Sequence, residues 1–120
     1  MSREIGKNYE TMAKQFLKTK GLKILEENFH AYRGEIDLVC QDAQTLVFVE
    51  VRYRRYTHFG SSSASVAYTK QKHLIQAAQY YLQRKGCADK YPCRFDVIGI
   101  SGDEAAPIEW IKNAFYADGF

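Results

Sequence analysis

A chain of 120 residues, 46% hydrophobic and 26% charged, has the length for one packed core and the polarity to stay in solution. Its net charge of +3 permits a nucleic-acid partner without requiring one. No apolar run approaches the ~20 residues of a membrane span, and the start Met-Ser-Arg-Glu has no apolar signal segment. No membrane partner and a reduced, cytoplasmic setting are therefore expected. Cys40, Cys87 and Cys93 contain no C-x-x-C pair, which argues against a disulfide framework and against a zinc knuckle.

Residues 3–20 predict a helix, with Ile5, Tyr9, Met12, Ala13, Phe16 and Leu17 at helical spacing and Gly21 as a stop. A strand follows over 23–29. Residues 33–40 and 46–54 form a predicted hairpin joined by a loop over 41–45. The Gly- and Ser-rich stretch 59–65 is a loop beside the sheet. Residues 69–85 predict a second helix, with Leu74, Ile75, Ala78, Tyr81 and Leu82 on one face and Gly86 at its end. A strand over 94–100, a polar turn over 101–107 and a short strand over 108–112 complete the chain. A hairpin plus a strand reached through a crossover helix implies an α/β fold, with a mixed central β-sheet flanked by helices and one domain over 1–120.

The hairpin carries the chemistry. Strand side chains alternate between faces, and a symmetric turn sets opposite each other residues whose numbers sum to 87. Asp37 then faces Glu50, Val39 faces Phe48 and Glu35 faces Arg52, all on one face. The other face, with Ile36, Leu38, Cys40, Val47, Val49 and Val51, is uniformly apolar and predicts core. Opposed carboxylates ~4.5–5.5 Å apart at Cβ destabilise each other. A divalent cation between them offsets this, since Mg²⁺ takes one or two carboxylates plus water and phosphate oxygens. The inferred register also describes a solvated face, with a Glu35–Arg52 ion pair and Arg54 neutralising the remainder.

The runs Gly34-Glu35-Ile36-Asp37-Leu38-Val39 and Val47-Phe48-Val49-Glu50-Val51 are accompanied by Glu10, the Asn28 strand, Lys70-Gln71 and Arg94-Phe95-Asp96. Together they resemble the signature of the bacterial YraN family over nearly the whole chain. The resemblance implies a restriction-endonuclease-like fold of the PD-(D/E)xK type, close to the archaeal Holliday-junction resolvases. It also implies a cytoplasmic nucleic-acid enzyme that uses Mg²⁺ or Mn²⁺. By position, Asp37 and Glu50 match the metal-binding carboxylates, the Val51 backbone carbonyl completes the site, and Glu10 matches the acidic residue of the first helix. The superfamily pattern has lysine two residues after the glutamate, where this chain has Arg52. Arginine stays charged and cannot act as a base, but it can stabilise charge developing on phosphate.

Gln71 falls on the apolar stripe of the second helix, and related nucleases place a glutamine there facing the site. It joins Asp37, Glu50, Arg52 and Glu10 as a candidate catalytic residue; the alternative is a core glutamine bonded to backbone. Arg54, Arg55, Lys70 and Lys72 are candidates for a phosphate-binding rim. Tyr53, Tyr56 and Tyr68 are candidates for base stacking. Asp96 is expected to be structural and Trp110 to be core. The expected function is a metal-dependent endonuclease that hydrolyses DNA phosphodiester bonds, with branched DNA among its substrates. A homodimer is implied by analogy with resolvases. Two alternatives stand beside it: a nucleic-acid-binding module that lost the chemistry, for which Arg52 speaks, and a protein-interaction scaffold, for which the modest charge speaks.

Overall fold

The computed structural model describes residues 3–54, 66–101 and 108–117, with side chains over 8–53 in the first stretch. The elements are α1 (Arg3–Thr19), β1 (Lys23–Ala31), β2 (Gly34–Asp42), β3 (Thr45–Arg54), α2 (Tyr68–Arg84), β4 (Cys93–Ser101) and β5 (Ile108–Phe115). They form the expected mixed sheet, in the order β1-β2-β3-β4-β5. Among the described residues only β3 and β4 pair in parallel, across the α2 crossover; the other neighbours are antiparallel.

Both helices end by the same device. At α1, the Leu22 N–H donates to the Leu17 carbonyl at 3.1 Å and the Gly21 N–H to that of Lys18 at 3.0 Å. At α2, Cys87 N–H donates to Leu82 at 3.0 Å and Gly86 N–H to Gln83 at 3.1 Å. Such a closure needs a left-handed residue, and Gly21 and Gly86 supply it at φ 92° and 66°. Each closing residue then turns back onto the sheet: Leu22 is buried with Leu17.

The central strands are apolar on both faces because a helix covers each. On one side Ala13 and Leu17 of α1 pack on Leu38, Cys40, Val47, Val49, Ile98 and Ile100. On the other, Leu74, Ala77, Ala78, Tyr81 and Leu82 of α2 pack on Val39, Phe48, Phe95 and Val97. Met12, expected on the buried stripe, is 40% exposed. All three cysteines are free.

The β2–β3 register is the expected one, with Leu38 opposite Val49 and Val39 opposite Phe48, but pairing continues to Asp42 and Thr45. The turn is therefore Ala43-Gln44 alone. Ala43 takes φ 56°, and Gln41 Nε2 donates to its carbonyl at 3.0 Å. Ile36 departs from the alternation. It packs with Phe29 on the α2 side, while Leu38 packs on the α1 side. The cause lies in β1. Asn28 takes φ 51°, between the pairs Glu27–Leu38 and Phe29–Ile36. Glu27 faces α1, where Lys14 reaches it at 3.3 Å, and Phe29 faces α2. One left-handed residue switches the face, and β2 follows.

A second irregularity extends β5 to Phe115, beyond the expected 112. The pairing shifts between Val97–Ile111 and Phe95–Phe115, and Asn113 bulges at φ 53°. Asp96 fills the gap. Its Oδ1 accepts the Asn113 N–H at 3.1 Å and Arg94 Nε at 3.1 Å, and its Oδ2 accepts Trp110 Nε1 at 2.9 Å. Asp96 is structural, as expected. Trp110 is only half-buried, set edge-on to Phe16 with ring centroids 6.1 Å apart, because its N–H must reach that carboxylate.

Candidate metal centre

The site forms where β2 and β3 part. Their paired stretch runs from Leu38–Val49 to Asp42–Thr45. Beyond it, the first residues of β2 pair with β1 while β3 continues along β4 to Arg54. Asp37 occupies this fork, and its Oδ2 accepts the Val51 N–H at 2.8 Å. The carboxylate thus replaces the backbone partner that Val51 lacks from β2. In an extended strand the N–H and C=O of one residue point the same way, so the Val51 carbonyl also faces the fork. The neighbouring Glu50 is 7% exposed.

Gly34 explains why the signature opens on glycine. A Cβ there would stand 2.7 Å from the His73 carbonyl oxygen of α2, so only glycine lets the start of β2 meet the helix this closely. The approach brings the first turn of α2 to the fork. Lys70 Nζ lies 3.5 Å from Glu50 Oε2, and Arg52 Nε lies 4.0 Å from the same oxygen. A lysine thus reaches the carboxylates from another element, although Arg52 holds the superfamily lysine's position in sequence. Sequence spacing placed Lys70 on an outer rim. The signal that could have found it is its place one residue before Gln71, on a turn whose stripe faces the sheet.

Burial, then the charge of Glu50, push the Asp37 carboxyl up to about 8, against the lowering effect of the Val51 N–H; Glu10 on α1 adds to the rise. Asp37 and Glu50 therefore lie side by side, and the charge of Glu10 is felt at Asp37 from α1. The donor set of two carboxylates and one carbonyl consists of hard oxygens, which suit Mg²⁺ or Mn²⁺. Among the described residues, no three His, Cys, Asp or Glu come together as a metal cage.

Other expected residues are placed differently. Gln71 Nε2 donates to the Val66 carbonyl at 2.7 Å, the backbone-bonded alternative, and ties down the approach to α2. Glu35 pairs with His30 at 3.3 Å. Lys72, two residues on from Lys70, faces away from it, with its ammonium 4.9 Å from the Tyr68 ring centre. Tyr53 stacks on Tyr9, with ring centroids 4.3 Å apart. The Arg54 side chain, Arg55, Tyr56 and the loop 59–65 lie outside the described residues.

Residues 9–100 match the model of the uncharacterised protein family UPF0102. A UPF0102 protein of Pseudomonas syringae pv. syringae is 48% identical over 93% of this chain and 93% of its own length. One from Yersinia enterocolitica is 47% identical over 97% of each, and one from Nitrosococcus oceani 46% over 94% and 92%. With a family model spanning the carboxylate fork and relatives aligned nearly end to end, the chain belongs to the UPF0102 family, the YraN family that its motifs resemble.

Proposed function

We propose that the chain is a metal-dependent endonuclease that hydrolyses DNA phosphodiester bonds. One arrangement carries the proposal: Asp37, Glu50 and the Val51 carbonyl meet at the β2–β3 fork, with Lys70 and Arg52 within 4.0 Å of Glu50. A Mg²⁺ or Mn²⁺ held there would supply Lewis-acid chemistry to the phosphate and to the attacking water. The protein's own groups position the reactants. The Val51 N–H fixes the Asp37 carboxylate, and Asp37 and Glu50 would hold the cation. Lys70 orients the attacking water and offsets the carboxylates. Arg52, charged at any working pH, stabilises the charge that grows on the phosphate oxygens.

The test is incubation of linear duplex, single-stranded and four-way DNA with Mn²⁺, comparing wild type with Asp37→Ala. Cleavage of at least one substrate, lost in the variant, is the expected result. Arginine in place of the superfamily lysine favours a second reading, a module that binds nucleic acid without cutting it. That reading predicts a wild type that binds Mn²⁺ and DNA, cuts nothing, and gains activity with Arg52→Lys.

A further inference from the structure

A cavity of about 310 Å³ lies between the β1–β2 turn and α2, lined by Ala31, Tyr32 and Arg33 from the turn and Gln76, Ala77 and Tyr80 from the helix. We propose that it is a subsite for one unpaired nucleotide of the DNA strand being processed. The proposal rests on the nuclease reading above for its substrate and deepens it by naming unpaired DNA.

Folding does not account for the residues in the turn. A two-residue hairpin turn favours Asn, Asp or Gly, yet the chain has Tyr32 and Arg33 there. Neither takes a positive φ, so the backbone makes no special demand. Tyr32 is 92% exposed, with the Arg33 guanidinium 5.4 Å from its ring centre. Across the cavity, Tyr80 is 40% exposed, with Arg84 Nη1 3.3 Å from its hydroxyl. Two aromatic rings, a guanidinium and the Gln76 amide are the groups that stack on a base, hold its phosphate and bond its edge. The volume lies at the small end of ligand sites, the size of one nucleotide.

Charge and position favour the same occupant. Of the 14 acidic residues in the chain, none lies in α2, which carries Lys70, Lys72 and Arg84. A polyanion can follow this helix without meeting a carboxylate on it. Lys70 stands at the metal centre and Ala77 at the cavity. Seven residues of helix separate them, ~10 Å at 1.5 Å per residue. That is roughly three 3.4 Å steps of a stacked strand. The Gly34–His73 contact closes the floor between the two places.

The experiment measures binding in metal-free buffer, where cleavage cannot intervene, by anisotropy of a labelled single-stranded oligonucleotide and a labelled blunt duplex. Tyr32→Ala, at a site too exposed to affect folding, should weaken single-strand binding about tenfold and leave duplex binding unchanged. Arg33→Ala should flatten the salt dependence for single strands by about 0.7 in log K against log salt. Deoxyadenosine monophosphate should compete only far above the oligonucleotide's concentration; competition at equal concentration would mean a free-nucleotide pocket and overturn the strand subsite. If wild type binds or cuts DNA while Tyr32→Ala binds single strands equally well, the subsite fails and the nuclease reading stands. If wild type cuts nothing yet Tyr32→Ala loses single-strand affinity, the subsite stands and the nuclease reading fails. Absence of any binding by wild type would sink the subsite, and the Mn²⁺ cleavage assay would decide the nuclease reading.

Discussion

Asp96 and the Asp37–Glu50 pair sit on one sheet under opposite arrangements. Asp96, 1% exposed, is surrounded by donors: Arg94, the Trp110 indole and the Asn113 amide. Asp37 has one backbone N–H and faces a second carboxylate across the fork, with a third on α1. Each fills a place where two strands part, at the β5 bulge or at the β2–β3 fork. The first is an acid whose charge the fold completes. The second is an acid pair in which Glu50 has Lys70 and Arg52 beside it, while Asp37 is buried against Glu50 with the Val51 N–H offsetting its charge only in part. Native structures retain such unfavourable groups where function uses them.

The sharpest way to break this contrast is to remove each carboxylate and compare stabilities. Asp96→Ala should cost about 3–5 kcal/mol, because it leaves the Trp110 and Asn113 N–H groups without their acceptor, at about 1–3 kcal/mol each, and strips the half-buried Arg94 of one of its two carboxylates. Denaturant unfolding reads this directly, and a loss below about 1 kcal/mol would dissolve the distinction. Next in size is the cation. Mn²⁺ at a hundredfold excess over its Kd should stabilise wild type by about 2.7 kcal/mol, seen as a rise in Tm that Asp37→Ala lacks. An equal rise in both proteins would place the ion elsewhere.

Asp37→Asn should act oppositely to the change at Asp96. Without metal and above about pH 8, where Asp37 is charged, it removes the opposed charge and should stabilise by about 1 kcal/mol. The pH dependence follows from the raised carboxyl. Folding holds Asp37 at about 8, against about 3.9 in the unfolded chain. Between those values the folded state binds the extra proton. The Asp37 contribution to the stability of metal-free wild type should therefore be fully present below the unfolded value and be lost as pH rises through about 8. The Asn variant should show a flatter profile; an unchanged slope would mean the pair is not strained. The smallest effect belongs to Arg52→Ala, ~0.2–1 kcal/mol in stability for a partly exposed pair at 4.0 Å. Its effect on cleavage rate should exceed its effect on DNA affinity, and Arg52→Lys should retain cleavage.

The element order was legible because both helices carry apolar stripes and end at glycine, and the strands are dense in Val, Ile and Leu. The closeness of Asp37 and Glu50 was legible because a symmetric turn sets which residues of β2 and β3 come level, although backbone pairing ends at Leu38–Val49. Face switches were not. Nothing local in Glu27-Asn28-Phe29 shows that Asn28 takes a left-handed backbone, so Ile36 was placed on the same face as Leu38. The length of β5 was hidden for the same reason, since its bulge depends on Asp96 from another strand. Lys70 reaches Glu50 only because Gly34 lets α2 settle onto β2, a tertiary distance that spacing along the chain cannot express.

Titration calorimetry with Mn²⁺ on metal-free protein tests the central claim most directly. Wild type should bind one ion per chain, and both Asp37→Ala and Glu50→Ala should abolish the heat of binding while remaining folded. Equal binding by the Asp37→Ala, Glu50→Ala double variant, or no binding by wild type, would contradict the assignment of the fork as a metal centre.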